Sequence, residues 1–360
     1  MSNEKQNQLS QVVIRGYKSI KECKLDLKNI NVLIGSNGAG KSNFVSMFAL
    51  LQSINYKELD FYSQKKGVSS LFYNGPKSTR SIFFAFVFNQ NVYSFKLELS
   101  EENRLVFKDE SLIDIEKREG FQAVESGYAN DERKIFKELA HLFTGQQQWR
   151  VYHFHDTGST STMKMEHNLS NSKTLMQDAS NLAAFLYRLR NHYPAEYGNI
   201  LKAIQLIAPY FKDFELEPME YNRELIILRW LQKGCESVFN ASQLSDGTLR
   251  FICLATLLLQ PTELQPSVII IDEPELGLHP FAIAIFAEMV QSAAVDRQII
   301  LATQSVELLD CFDVEDVVVV DIGDNGSEFK RLDAEQLKLW LENDYTLGEL
   351  WNKNIFGGRP

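Results

Sequence analysis

Ile30-Asn31-Val32-Leu33-Ile34-Gly35-Ser36-Asn37-Gly38-Ala39-Gly40-Lys41-Ser42 decides the fold. The first five residues read as an apolar strand, and Gly35 to Ser42 fits the pattern GxxxxGK[ST]. Each fixed position of that pattern has its own mechanical job. Glycines let backbone amides converge on phosphate oxygens, the lysine reaches the β- and γ-phosphates, and the hydroxyl ligates magnesium. Downstream, Phe44, Val45, Phe48, Leu51 and Ile54 recur at helical spacing, giving the order strand, loop, helix that this chemistry requires. ATP and Mg2+ are the ligands expected. Gly35, Ser36, Asn37, Gly38, Ala39, Gly40, Lys41, Ser42 and the adjoining Asn43 are the expected nucleotide-binding run, with Lys41 also catalytic and Ser42 also a metal ligand.

Ser267-Val268-Ile269-Ile270-Ile271-Asp272-Glu273-Pro274 is a second apolar strand, and it ends in two carboxylates. This is a Walker B arrangement, in which Asp272 holds magnesium through its water shell and Glu273 orients or deprotonates the water that attacks the γ-phosphate. A strand that merely ends in acidic surface residues is the plain alternative, and a P-loop in the same chain weighs against it.

Gln243-Leu244-Ser245-Asp246-Gly247-Thr248-Leu249-Arg250 lies before the second strand and leads into the apolar run Phe251 to Leu259. It resembles the LSGGQ signature of ABC ATPases, in the variant of the RecF, SMC and OLD-type branch. The resemblance implies a homodimer formed on ATP binding, in which the signature of one subunit closes on the γ-phosphate held by the other. Ser245 would then be a catalytic and binding residue and Gly247 a binding residue across the interface. A Ser hydroxyl and the amides of a helix N-terminus suit an anion. An ordinary helix cap by Ser245 or Asp246 accounts for the same residues, and the position ahead of the Walker B strand favours the resemblance. Asp246 departs from the family glycine and places a carboxylate near the docking phosphate.

Further matches follow from that likeness. Pro274 to Pro280 falls where a D-loop lies, with His279 expected to pack at a helix start. Gln304 follows the strand Gln298 to Ala302 where the family carries a switch histidine; it can hydrogen-bond to phosphate but carries no charge at neutral pH, which implies slow turnover or a modified switch. A strand-end residue facing water is its alternative. Gly16-Tyr17-Lys18-Ser19-Ile20 is similar to the N-F-R-S-I element, so Lys18 is expected to approach the nucleotide, a surface lysine being the other reading. His153-Phe154-His155-Asp156 falls where a Q-loop belongs, without its glutamine. Both histidines share a face, which invites a metal reading, although a polar loop edge is the commoner origin of such a run. His155 and Asp156 stay as site candidates. The tail Tyr345 to Pro360 and the segment Leu71 to Thr79 are similar to a group of predicted bacterial RecF-like AAA ATPases, a likeness that covers nearly the whole chain.

The expected fold class is therefore α/β: a single ABC-type ATPase head over residues 1–360, a P-loop sheet with helices on both faces. An antiparallel β lobe at 68–112 and a helical lobe at 130–210 are expected insertions. The runs Ser81 to Phe88 and Val92 to Leu99, joined at Asn89-Gln90-Asn91, form a meander; Val12 to Ile20 and Lys24 to Leu27 read as two strands. Helices are expected at Glu132 to Phe143, Leu175 to Leu189 and Ile200 to Ala208, with a polar, mobile loop at Gly158 to Thr162. From Phe214 onward, strands including Leu225 to Leu228 alternate with helices. The apolar face of Leu347, Leu350, Trp351 and Ile355 packs on the core.

With 44% hydrophobic and 23% charged residues in 360, the chain has the composition of an ordered protein. Four scattered cysteines (Cys23, Cys235, Cys253, Cys311) form no metal-finger spacing, and no apolar stretch is long enough to span a bilayer, so a cytoplasmic chain with reduced thiols and no membrane contact is expected. A net charge of −10 opposes nucleic-acid binding by the whole surface and leaves local basic pairs as candidates: Lys65 with Lys66, Lys77 with Arg80, Arg188 with Arg190. Two functions fit: a regulatory ATPase of bacterial defence or DNA-damage response gating a separate nuclease or toxin, or a RecF-like ATPase that binds DNA. A transporter subunit is disfavoured by the signature type and the missing Q-loop glutamine.

Overall fold

Strand Ile30–Ile34 has only apolar residues after Asn31, with Val32, Leu33 and Ile34 fully buried, because it lies inside a sheet with neighbours on either side. The computed structural model describes residues 8–88, 91–114, 119–123 and 149–358. The chain divides into two compact units, Met1–Arg150 with Ile300–Pro360, and Val151–Ile299.

In the first unit the sheet runs in the order Glu119–Ala123, Leu105–Asp114, Asn91–Leu99, Ser81–Phe88, Leu9–Tyr17, Ile20–Asp26, Gly326–Arg331, Val317–Gly323, Ile30–Ile34, and then residues 300–303. The P-loop strand pairs in parallel with Val317–Gly323, in the register Val317 to Val32 and Val319 to Ile34. The five strands at the start of that order are antiparallel to their neighbours, as the meander reading requires. Alternation in Ser81–Phe88 sends Ile82, Phe84, Phe86 and Phe88 inward, where Phe84 and Phe86 meet Phe95 and Phe86 and Phe88 meet Trp149. Each such ring removes enough apolar surface from water to contribute about 2–3 kcal/mol.

Within the second unit, strand Val268–Asp272 is buried along its whole length and neighbours the strand residues 151–152. Helices Leu182–His192, Pro194–Ile207, Asp246–Leu259 and Pro280–Ala293 belong to the same unit. A small antiparallel sheet of Phe211–Glu215, Arg229–Gln232 and Val238–Asn240 stacks Phe211 on Trp230 and Trp230 on Phe239.

Several local expectations are corrected. The run Val12 to Ile20 is two strands, Leu9–Tyr17 and Ile20–Asp26, because Lys18 takes φ 50° and reverses the chain without a Gly-Pro or Asn-Gly signal. The helix expected from Leu175 begins at Leu182: buried Asn181 accepts from the Met176 amide and donates to the Asn171 and Thr174 carbonyls, tying the preceding residues into a loop. Leu225 to Leu228 is no strand of an alternating sheet; Leu225–Ile226 pairs only with His167–Asn168. Four apolar residues fix burial, not partner. The Gly158 to Thr162 loop is pinned, since the buried Ser161 donates to the Asp156 carbonyl at 2.6 Å. In the tail, Leu347, Leu350 and Trp351 are buried, whereas Ile355 is exposed. The expected helix Glu132 to Phe143 and the turn residues 89 and 90 lie outside the described residues. None of the four cysteines is in a disulfide; Cys23 and Cys253 are buried, which pushes both up to about 12, and Cys235 and Cys311 are half-buried.

Candidate functional site

The loop between Ile34 and helix Lys41–Asn55 takes its shape from glycine. Gly40 sits at φ 119°, and a Cβ there would lie 2.1 Å from Ser327 Oγ, so no other residue fits without displacing the neighbouring strand. Behind it, Asn43 Nδ2 donates to Ser19 Oγ at 2.7 Å, and Ser19 Oγ lies 2.7 Å from Ser327 Oγ. Asn43, expected to bind nucleotide, thus spends its amide bracing the loop. Asn37, Gly38 and Ser42 are exposed, Ser36 is half-buried, and Gly35, Ala39 and Gly40 are buried. Lys41 is buried and donates to the Gly35 and Ser36 carbonyls at 2.6 and 3.0 Å, which draws its ammonium over the loop.

Lys18 reaches the same helix one turn on: its ammonium donates to Ser46 Oγ at 2.7 Å, and Tyr17 Oη lies 3.0 Å from that oxygen. Burial, with the charge of Lys66 adding to it, lowers Lys18 from its ordinary 10.5 to about 8. Between those values the unfolded chain holds a proton that the folded chain has released, so stability from this group rises with pH there. If Lys18 serves the nucleotide as expected from the sequence, its attraction for the phosphates falls over the same window. ATP affinity should drop above about pH 8 and stay level in Lys18→Met; parallel titrations of the two proteins by fluorescent-nucleotide binding that showed no difference would remove Lys18 from the site. Gln304 follows strand Gln298–Thr303, half-buried, one residue before Ser305 caps the next short helix.

In residues 151–299, Asp272 closes its strand at 9% exposure, and its Oδ1 is buried with no hydrogen-bond partner among the described residues. A carboxylate oxygen so placed costs free energy unless a cation faces it. Asp272 therefore fits a divalent-ion ligand, as the exposed hydroxyl of Ser42 does in its own unit. Glu273 follows at φ 47°, a left-handed conformation that a glutamate rarely adopts, and this turns the chain sharply out of the strand.

Ser245 is the N-cap of helix Asp246–Leu259: its Oγ accepts from the Thr248 amide at 3.1 Å, and the residue is exposed. Gly247 touches the segment after Glu273 directly, since a Cβ there would lie 2.2 Å from the Gly277 carbonyl oxygen. Arg250, which sequence reasoning passed over, joins these pieces. It is buried, and its guanidinium donates to the carbonyls of Phe154 at 2.9 Å, His155 at 3.1 Å, and Leu276. Sequence marks its position, as the one basic residue in the mainly apolar helix DGTLRFICLATLLL, but not its partners. His155 Nε2 lies 2.8 Å from the Asp272 carbonyl oxygen, and the His153 and His155 rings sit 5.9 Å apart. Among the described residues no three His, Cys, Asp or Glu side chains gather to hold a metal, and of the two histidines it is His155 that touches the Asp272 turn. Asp156 accepts from the Gly158 amide in a local turn, and His279 Nδ1 accepts from the Phe281 amide as a helix cap.

Residues 30–310 match the family described as "AAA domain, putative AbiEii toxin, Type IV TA system". A tungstate uptake system ATP-binding protein, TupC, of Campylobacter jejuni is 31% identical over 105 residues, covering 26% of this chain and 32% of the relative. The chain thus spans about a third of the length of the curated relative it matches. Among solved structures, an SMC head bound to the C-terminal winged-helix domain of ScpA aligns with TM-score 0.63 at 15% identity, covering 91% of this chain and 99% of that one. An SMC head with extended coiled coil from Pyrococcus furiosus, bound to the C-terminal domain of ScpA, aligns at 0.57 and 14% identity, covering 93% and 99%. These likenesses show the fold. No helix of the described residues is long and apolar enough to cross a membrane.

Proposed function

Because the chain belongs to the family of the AAA domain, putative AbiEii toxin, Type IV TA system, and carries the ABC/SMC-like ATPase fold, we propose that it is a cytoplasmic, slowly hydrolysing ATP switch that dimerises on ATP and gates a separate effector. The effector is a nuclease or toxin of a bacterial defence or DNA-damage response. Lys41 and the amides of Gly35 to Gly40 would hold the phosphates, Ser42 and Asp272 would be the Mg2+ ligands, Glu273 would orient or deprotonate the attacking water, and Gln304 would hydrogen-bond the γ-phosphate without charge. Magnesium, when bound, supplies charge neutralisation at the phosphate oxygens. Lys18 adds a cation whose charge fades above about pH 8. Ser245 and the amide of Gly247 serve the nucleotide of a second copy.

The observation that carries this reading is Arg250. Through one side chain the signature helix is tied to Leu276, and to Phe154 and His155 ahead of it, while His155 touches Asp272. A change at the Asp272–Glu273 turn is thereby passed to the exposed Ser245, which is what a switch needs.

A second reading, a RecF-like DNA-binding ATPase, has one observation of its own: a cavity of about 560 Å³ lined by Arg15, Lys21, Arg80 and Lys96, with Phe83 beneath Arg15. Of the basic pairs in the sequence, only Arg80 reaches it. Sizing chromatography with ATP and Mg2+, with and without duplex DNA, separates the readings. The switch reading expects an ATP-dependent dimer indifferent to DNA; retention of DNA that falls steeply with salt favours the second, and a monomer at every ATP concentration defeats both.

A further inference from the structure

Asp246 opens the signature helix, and a carboxylate there suits the helix dipole while it repels any phosphate brought to the same end. Two cations bear on it. Arg250 is one, but its guanidinium is committed to three carbonyls. The other is Lys164, whose side chain is 9% exposed and whose ammonium lies 3.9 Å from Asp246 Oδ1. We propose that Lys164 is the built-in counter-ion of Asp246, a positioning residue that makes the start of the signature helix acceptable to the phosphate of nucleotide held by a second copy of the chain. This rests on the reading that Ser245 serves a partner's nucleotide.

The position of Lys164 is fixed before any partner arrives. Its ammonium donates to the Thr157 carbonyl at 2.6 Å, and its backbone amide donates to the Ser161 carbonyl at 3.0 Å. The preceding Met163 is buried with its sulfur 3.9 Å from Cys253 Sγ, two turns into the signature helix. The strap from Thr157 to Lys164 is thus anchored to the helix whose first residue Lys164 neutralises. Asp246 is 67% exposed, so in water the pair contributes little to stability. Its effect grows when a second subunit excludes water from the helix start, because charges then act through a lower dielectric. An ammonium has three donors, and the Thr157 carbonyl takes one; another can pass to a phosphate oxygen as the subunits close.

The test uses the full chain with Glu273→Gln, in which dimers collect, and reads the dimer dissociation constant by sedimentation with ATP and Mg2+ and the ATP affinity of the monomer by fluorescent-nucleotide binding. Lys164→Met keeps the aliphatic stem and loses the charge. It should weaken the dimer about tenfold or more and leave monomer affinity unchanged. Adding Asp246→Asn should restore the dimer to within about twofold of the parent, and Lys164→Arg should match the parent throughout. A Lys164→Met protein that dimerises like its parent overturns the proposal. So does failure of Asp246→Asn to rescue, since loss of a purely structural strap would not be cured by removing a charge. If the Glu273→Gln parent itself stays monomeric, the composite-site reading has failed first, and the two failures are told apart by that control.

Discussion

Glu273→Gln is expected to bind ATP with the affinity of the unaltered chain, to lose turnover by about 10²–10³-fold and to accumulate as a dimer, the largest functional effect expected of any single change. The amide keeps the size of the side chain and its hydrogen-bonding reach but cannot accept the proton of the attacking water. Among the described residues the Glu273 side chain has no hydrogen bond or ion pair, and the residue lies past the end of Val268–Asp272, half-buried, in a turn. Removing its charge should therefore leave folding within about 0.5 kcal/mol of the parent. Single-turnover hydrolysis and sizing on the same sample check the two halves. Turnover within about threefold of the parent would move the base elsewhere.

Arg250→Ala is expected to have the largest effect on stability. Three backbone carbonyls, of Phe154, His155 and Leu276, lose a charged donor in a buried place, and a hydrogen bond to a charged group contributes about 1.5–3 kcal/mol. Some of that loss is recovered by water entering the space, so a net destabilisation of about 3 kcal/mol is expected by chemical denaturation. Arg250→Lys supplies a point charge without the planar fork, and should recover less than half of the loss. Hydrolysis should fall as well, although no residue assigned to phosphate, metal or water is altered. A stability change under about 0.5 kcal/mol would show that the three carbonyls have other partners.

What could be read from sequence, and what could not, divides along a physical line. Gly35 to Ser42 was legible because each residue type answers a separate local demand, and the strand and helix on either side follow from apolar spacing alone. The pair Asp272 and Glu273 was legible for a similar reason, as carboxylates standing at the end of an apolar strand. Arg250 and Lys164 were not, since their meaning lies in atoms 96 and 82 residues away, the Phe154 carbonyl and the Asp246 carboxylate. Asp246 illustrates the difference most clearly. In sequence it is an uncompensated charge in a signature-like segment; in the fold it stands beside an ammonium. The turn at Lys18 escaped for another reason: apolar alternation continues through it, Ser19 is only a weak turn signal, and the residue that takes the left-handed conformation is Lys18.

The left-handed backbone at Glu273 carries a consequence for how this chain tolerates change. Glycine or asparagine would occupy φ 47° with less steric conflict, so for heat resistance alone glutamate is a poor occupant of the position. On the proposed role of Glu273, selection for a more robust protein and selection for a working one pull residue 273 in opposite directions. A lineage released from the need to hydrolyse ATP would be free to drift there toward the sturdier residue, and its gain in thermal tolerance would be the trace of a lost reaction.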